Sequence, residues 1–207
     1  MLDSKGFDLW AGGYDENVRE CEASDEYPFA GYKDVLNGIY GAVRNIENAR
    51  VLDIGFGTGV LTKKLYDDGY EIFGIDFSGK MIKIAQAKMP NAVLLQHDFT
   101  NGLPNEFAGI RFDRIVSTYA LHHLSDEAKL RFIADLQDRI TADGMILIGD
   151  IAFESRAKLD MCKETCGHGW DADELYFVFD EFKRHFPAEK IEFHRVSHCA
   201  GIIVLTK

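Results

Sequence analysis

Three aspartates stand where apolar runs end: Asp53 inside Val51-Leu-Asp-Ile-Gly-Phe-Gly-Thr-Gly59, Asp76 after Tyr70-Glu-Ile-Phe-Gly-Ile75, and Asp98 just after Ala92-Val-Leu-Leu-Gln96. Between the first two lie Gly55, Gly57 and Gly59 at alternate positions. Glycine accepts positive φ without penalty and lets a ligand lie against bare backbone, and the helix that follows aims its first amide groups at that ligand. An acid about 20 residues beyond such a turn, at the end of the next strand, can accept both hydroxyl protons of a ribose. A second group of reactive types follows in Ser117-Thr-Tyr-Ala-Leu-His-His-Leu124. Histidine titrates near neutrality and can take a proton from a reacting group, so His122 and His123, with Tyr119 beside them, are the candidates for acid–base work.

The elements that must position these residues follow from periodicity. The segment from Gly31 to Glu47 places Tyr32, Val35, Leu36, Ile39, Tyr40, Val43 and Ile46 on one helical face. A buried strand from Arg50 runs into the glycine turn and a helix over about 58–68, which Asp67-Asp68-Gly69 ends. The strand 70–75 ends at Asp76, Ser78 caps a helix that Pro90 breaks, 92–96 is a third strand, and Phe112 to Ser117 is a fourth. A helix over 126–140, a turn at Asp143-Gly144 and a strand at Met145-Ile-Leu-Ile148 complete five strands alternating with helices, which implies a parallel, doubly wound sheet. Helices are expected over roughly 154–166 and 171–186 with a break at Gly167-His-Gly169, and then the strands 191–196 and 201–206, joined closely enough to form an antiparallel hairpin. In an open parallel sheet, ligands bind beyond the carboxyl ends of the strands, so Asp53 to Gly59, Asp76, Asp98 and Ser117 to His123 should converge on one crevice.

Composition narrows the partners. The chain has 207 residues, 46% of them hydrophobic, enough for one domain with a full core. Its 34 acidic and 23 basic residues give a net charge of −11 with no basic run, which argues against nucleic acid as a partner. No apolar stretch suggests a membrane span and the acidic N-terminus does not read as a secretory signal, so a cytoplasmic location is expected. The 4 cysteines, at 21, 162, 166 and 199, form no C-x-x-C pair and read as free thiols. Cys162 and Cys166 share a helix face with His168 close behind, but two incidental thiols are the plainer reading, and no metal ligands are assigned.

The glycine spacing also selects among ligands. A dinucleotide fold presents G-x-G-x-x-G, whereas Gly55-x-Gly57-x-Gly59 has Asp53 two residues before the turn and no lysine of the phosphate-loop type after it. These features resemble the class I S-adenosylmethionine-dependent methyltransferases. Val51 to Gly59 is similar to their first motif, Ile75-Asp76 to their ribose-binding acid and His97-Asp98-Phe99 to their adenine contact. Trp10-Ala-x-x-Tyr14-Asp15 and Ser117 to Glu127 resemble a group of small bacterial methyltransferases of the YrrT type. The resemblance implies a Rossmann-like α/β fold: a seven-stranded, mostly parallel sheet with an antiparallel C-terminal hairpin and helices on both faces. It covers one domain over 1–207, with an N-terminal lid and helix at 1–47 and the core at 48–207.

Position by position, the resemblance implies that S-adenosylmethionine is the cofactor. Asp53 would orient its amino group through water, and Gly55, Gly57 and Gly59 would admit its carboxypropyl chain. Asp76 would hold the ribose, Phe77 and Met81 would pack on the adenine, and Asp98 and the Phe99 amide would meet the adenine edge. Tyr14 would close over the methionine end, and Ser117 completes the expected cofactor set. Core packing is an equal alternative for Phe77, Met81 and Phe99. On the acceptor side, His122 and Tyr119 are the catalytic candidates; packing and capping at the end of the fourth strand is the alternative for both histidines. If that stretch is helical or extended, two neighbouring histidines cannot both face the site, and His122 is preferred. His168, Trp170 and His198 are placed on the acceptor side by topology alone. The expected reaction is methyl transfer to a small-molecule acceptor by a monomer or homodimer, without nucleic acid or membrane partners. The alternative is a protein that binds S-adenosylmethionine as a sensor or structural element without transfer.

Overall fold

The strand Arg50–Ile54 (β1) buries alternate side chains on opposite faces, Val51 into one core and Leu52 and Ile54 into the other. A strand apolar on both faces belongs in the middle of a covered parallel sheet. The computed structural model describes residues 26–187 and 190–207, and β1 is central in it. Parallel partners are Glu71–Asp76 (β2) and Phe112–Thr118 (β4) on its two sides, with Val93–Gln96 (β3) beyond β2. Ile140–Phe153 (β5) continues beyond β4 in parallel; Ile191–Arg195 (β7) and Ala200–Thr206 (β8) then form an antiparallel hairpin, giving the order β3-β2-β1-β4-β5-β8-β7. The expected mostly parallel sheet with its terminal hairpin is present. An eighth strand, Phe177–Val178 (β6), pairs with the last two residues of β5.

Helices cover both faces. Tyr32–Val43 (α1), Val60–Asp67 (α2), Gly79–Lys88 (α3) and Arg156–Cys166 (α5) contribute Val35, Ile39, Leu61, Leu65, Ala85 and Leu159 to one core. Asp126–Gln137 (α4) contributes Phe132, Ile133 and Leu136 to the other. Ser78 caps α3 by accepting from the Met81 amide at 3.2 Å, and Ser125 caps α4 by accepting from Ala128 at 3.2 Å.

Several elements differ from the sequence expectation, the helix expected over 126–140 stopping at Gln137 because Ile140 already belongs to β5. The first helix stops at Val43 rather than Glu47. β5 begins at Ile140, five residues early, because Ile140 already pairs with Phe112 while Met145 pairs with Arg114; the intervening residues, Asp143-Gly144 among them, form an irregularity inside the strand. The helix expected over 171–186 is replaced by an irregular stretch, β6, a short helix Phe179–Phe182 (α6) and a 3₁₀ turn at Lys183–His185. Tyr176, Phe177 and Val178 are consecutive and all buried, a pattern that one helix face cannot satisfy and an extended segment wedged under β5 can. Among the described residues no helix is long and apolar enough to cross a membrane.

Candidate active site

The strand order reverses between β1 and β4, whose neighbours β2 and β5 lie on opposite sides, so the crevice opens at their carboxyl ends. The glycine turn lies there, with φ of 70° at Gly55, 56° at Gly57 and 78° at Gly59, the last being the N-cap of α2. A Cβ on Gly55 would stand 2.5 Å from Ala120 Cβ, so the segment after β4 is packed directly on the turn. At Gly57 no atom of the described residues beyond its own chain neighbours lies within 4 Å of the Cβ position, which leaves its backbone open to a ligand.

Two strand-end acids bind this turn together. Asp76 Oδ2 accepts from the Gly57 amide at 2.9 Å, and Asp76 Oδ1 accepts from the Ser78 amide at 2.9 Å. Asp53 is 1% exposed; its Oδ2 accepts from Thr62 Oγ1 on α2 at 2.6 Å, while Oδ1 is buried with no hydrogen-bond partner among the described residues. Burial pushes the Asp53 carboxyl up to about 7; the Thr62 hydroxyl works against that rise and the nearby Asp76 adds to it. A buried oxygen left without a donor carries a desolvation cost, and a cationic or N–H-bearing ligand would relieve it.

The remaining cofactor candidates are distributed along the same edge. Asp98 is exposed and caps the 3₁₀ turn Phe99–Asn101, its Oδ1 accepting from the Thr100 amide at 2.9 Å. Phe99 is buried, with its ring stacked 5.9 Å from Phe132, and it approaches the Gly55 Cβ position at 3.7 Å, so it forms the wall between core and turn. Met81 is buried and Phe77 half-buried. Ser117 Oγ donates to the Ile54 carbonyl at 3.0 Å, which ties β4 to β1 at the point of reversal. Tyr14 lies outside the described residues.

On the other side of the crevice, Leu121–His123 forms a 3₁₀ turn held by Asp150 of β5. Asp150 Oδ2 accepts from the Leu121 and His122 amides at 3.1 and 3.2 Å; Oδ1 accepts from the Ile151 amide at 2.8 Å and faces His122 Nδ1 at 2.6 Å. His122 Nε2 faces Glu174 Oε1 at 3.5 Å, and His123 Nδ1 lies 3.8 Å from the same oxygen. Glu174 Oε2 accepts from the Tyr176 hydroxyl at 2.8 Å, and the His122 carbonyl accepts from the Leu175 amide at 3.0 Å. The buried Lys129 donates to the Leu175 carbonyl and, at 2.9 Å, to Asp126.

Charge follows this arrangement. Burial disfavours the imidazolium of His122, but the Asp150 and Glu174 carboxylates outweigh it and hold the ring protonated up to about 10. Burial and the neighbouring His122 charge pull His123 down to about 4. Burial alone would raise Glu174, and the two histidines with Tyr176 bring it to about 2 instead. An imidazolium has no lone pair with which to take a proton. Although the sequence favours His122 as the substrate-side ring, its side chain is 7% exposed between two carboxylates, whereas that of His123 is 24% exposed. Tyr119, with φ of 50°, packs its ring 5.5 Å from Phe29 and 5.1 Å from Tyr32 and so joins β4 to the start of α1.

Asp150, Glu174 and Thr62 were missed from sequence. Asp150 follows the apolar run Met145 to Ile148, the same acid-after-strand signal that singled out Asp76 and Asp98. Glu174 lay in a segment read as helix, and no pattern marks it. Of the residues placed on the acceptor side by topology, His198 lines a cavity of about 290 Å³ with Cys162, Cys166, Lys158 and Arg195, whereas Trp170 stacks on Tyr27 at 5.2 Å. The sulfurs of Cys162 and Cys166 are 3.8 Å apart, and among the described residues His168 does not complete a ligand set with them.

A family model described as a methyltransferase domain matches residues 51–144, the span from β1 into β5 that carries the glycine turn, both buried strand-end acids and the two histidines. A protein of Oceanobacillus iheyensis named an uncharacterized methyltransferase is 39% identical over 195 residues, covering 91% of this chain and 87% of its own length. The uncharacterized methyltransferase YrrT of Halobacillus halophilus is 30% identical over 210 residues, covering 97% and 95%. Among solved structures, the magnesium protoporphyrin IX methyltransferase of Synechocystis with bound S-adenosylhomocysteine superposes with a TM-score of 0.69 at 16% identity, covering 99% of this chain and 100% of that one; a likeness at that identity concerns the fold. With relatives of this identity and coverage, the chain belongs to the methyltransferase family.

Proposed function

We propose that the crevice binds S-adenosylmethionine and that the protein transfers its methyl group to a small-molecule acceptor. The observation that carries this reading is the union of the glycine turn and the second strand's acid, Gly57 donating to Asp76 at 2.9 Å, with the unpartnered Asp53 Oδ1 beneath them. The residues fit the group: Asp53 offers an anionic oxygen to an ammonium, Gly57 offers open backbone to the chain that bears it, and Asp76 retains lone pairs for ribose hydroxyls. Asp98 stands at the third strand's end for the adenine edge. When bound, S-adenosylmethionine supplies a methyl group already activated by its sulfonium. This chain's residues then hold the donor, keep water out and present an acceptor in line, and positioning of that kind can contribute about 7–11 kcal/mol.

The turn Leu121–His123 forms the opposite wall. Asp150 locks it through two backbone amides and the His122 ring, so His122 holds the turn as a fixed cation between two carboxylates rather than acting as a base. The more accessible His123, which burial and the adjacent His122 charge keep neutral, is the ring presented to an acceptor. A small acceptor is supported by the net charge of −11, which repels phosphate backbones, and by the modest length of chain between β5 and β7. Such a substrate and the free thiols at 162, 166 and 199 suit a cytoplasmic enzyme.

Thermal-shift titration with S-adenosylmethionine and with NAD tests the cofactor. The proposal requires stabilisation by the first that is weakened in Asp76→Ala; stabilisation by NAD alone would refute it.

A further inference from the structure

We propose that His122, His123 and Glu174 form a binding site for a divalent transition metal of the zinc class, with one coordination position left open toward the crevice. One ligand atom from each residue lies within 4.8 Å of the other two. The separations leave room for an ion. His122 Nε2 and His123 Nδ1 stand 3.5 and 3.8 Å from Glu174 Oε1, whereas hydrogen bonds between charged partners are about 2.7–2.9 Å long. The same imidazole makes a bond of that kind on its other side, at 2.6 Å to Asp150. Four ligands around zinc at about 2.0–2.1 Å keep neighbouring ligand atoms about 3.3–3.5 Å apart, so the two separations from Glu174 already approach those of such a site, and the two histidine nitrogens, within 4.8 Å of each other, must draw together to complete it.

The surroundings are those of a held metal ligand set. Asp150 fixes the His122 ring through Nδ1, which directs Nε2 outward, the arrangement by which a carboxylate orients a metal-binding histidine. Glu174 is fixed through its second oxygen by Tyr176, and its segment is clamped to the histidine turn by the bond from the Leu175 amide to the His122 carbonyl. Carboxylate and imidazoles therefore arrive on two segments that cannot separate without breaking that bond. Two imidazole nitrogens and one carboxylate oxygen suit zinc, cobalt, nickel or iron; magnesium and calcium select all-oxygen sites. Three protein ligands leave a fourth position for an exogenous group, and the partial exposure of His123 gives it access.

The test is a titration of the chelator-treated, full-length protein with Co²⁺, read by its visible absorption. The site predicts a tetrahedral-type band that saturates at one ion per chain. His123→Gln and Glu174→Gln should each weaken it at least tenfold, and Asp150→Asn, which leaves all three ligands in place, roughly 10–100-fold. Cys162→Ser should leave the band unchanged. Circular dichroism confirms that each variant is folded, and the partly exposed His123 carries the decision if Glu174→Gln is not. Absence of a saturable band, a band undiminished in folded His123→Gln, or one abolished by Cys162→Ser would overturn the proposal.

Discussion

The Gly57 amide donates to Asp76 Oδ2 across 2.9 Å, so the acid that ends the second strand also fixes the glycine turn that ends the first. The same carboxylate takes the Ser78 amide through its other oxygen and thereby sets the start of α3. Removing it should disorganise the donor site in two ways, by losing the ribose partner and by freeing the turn. Asp76→Ala is expected to cost about 1–3 kcal/mol of donor affinity, roughly a tenfold to hundredfold rise in Kd by calorimetry.

Asp53 gives the donor site a pH dependence. Its folded-state carboxyl is raised from 3.8 to about 7, chiefly by burial. A raised acid contributes stability that is full below its unfolded value and is lost as pH rises through the folded one. The Asp53 contribution should therefore be lost between about pH 4 and pH 7, opposed over about pH 4–6.5 by His123, whose lowered value acts in the other sense, so in urea titrations the stability of Asp53→Asn should rise more with pH than that of the native protein. Donor affinity should run the other way, rising through pH 7 as the carboxylate forms beneath the donor's ammonium, and Asp53→Asn should abolish the rise.

Gly55 is constrained twice, by its φ of 70° and by Ala120, whose Cβ lies 2.5 Å from where a Gly55 side chain would begin. Gly55→Ala must push the segment after β4 away from the turn. The expected loss is about 1–3 kcal/mol of unfolding free energy, with a parallel fall in donor affinity. Gly57→Ala, where the Cβ meets open space, should lose less stability and comparable affinity.

Asp150 is the anchor of the histidine turn, accepting from three backbone amides and pairing with His122. Asp150→Ala strands a buried imidazolium and its neighbouring amides. Breaking a buried pair from one side costs about 3–5 kcal/mol, which chemical denaturation would read directly.

The donor half of this site was legible from sequence because its chemistry is backbone chemistry: alternate glycines and an acid after each apolar run report a turn geometry that few other residues could satisfy. The sheet was legible for a related reason, since Val51 to Ile54 and Ile72 to Ile75 are apolar on both faces. The acceptor half was not. Glu174 reaches His122 from a segment whose composition reads as helical, and only the burial of Tyr176, Phe177 and Val178 against the end of β5 makes it extended. The roles of the two histidines were likewise invisible, because both occupy one short 3₁₀ turn and a carboxylate from β5 decides which ring is enclosed. The tyrosine expected to close over the methionine end, Tyr14, lies outside the described residues.

Methyl transfer itself is tested most directly by incubating the protein with methyl-labelled S-adenosylmethionine and the small-molecule fraction of a cell extract, then separating products by mass. The account predicts one low-molecular-weight species that gains label with the native protein and does not with Asp76→Ala. Donor binding with no labelled small molecule, or label that appears equally with Asp76→Ala, would contradict it.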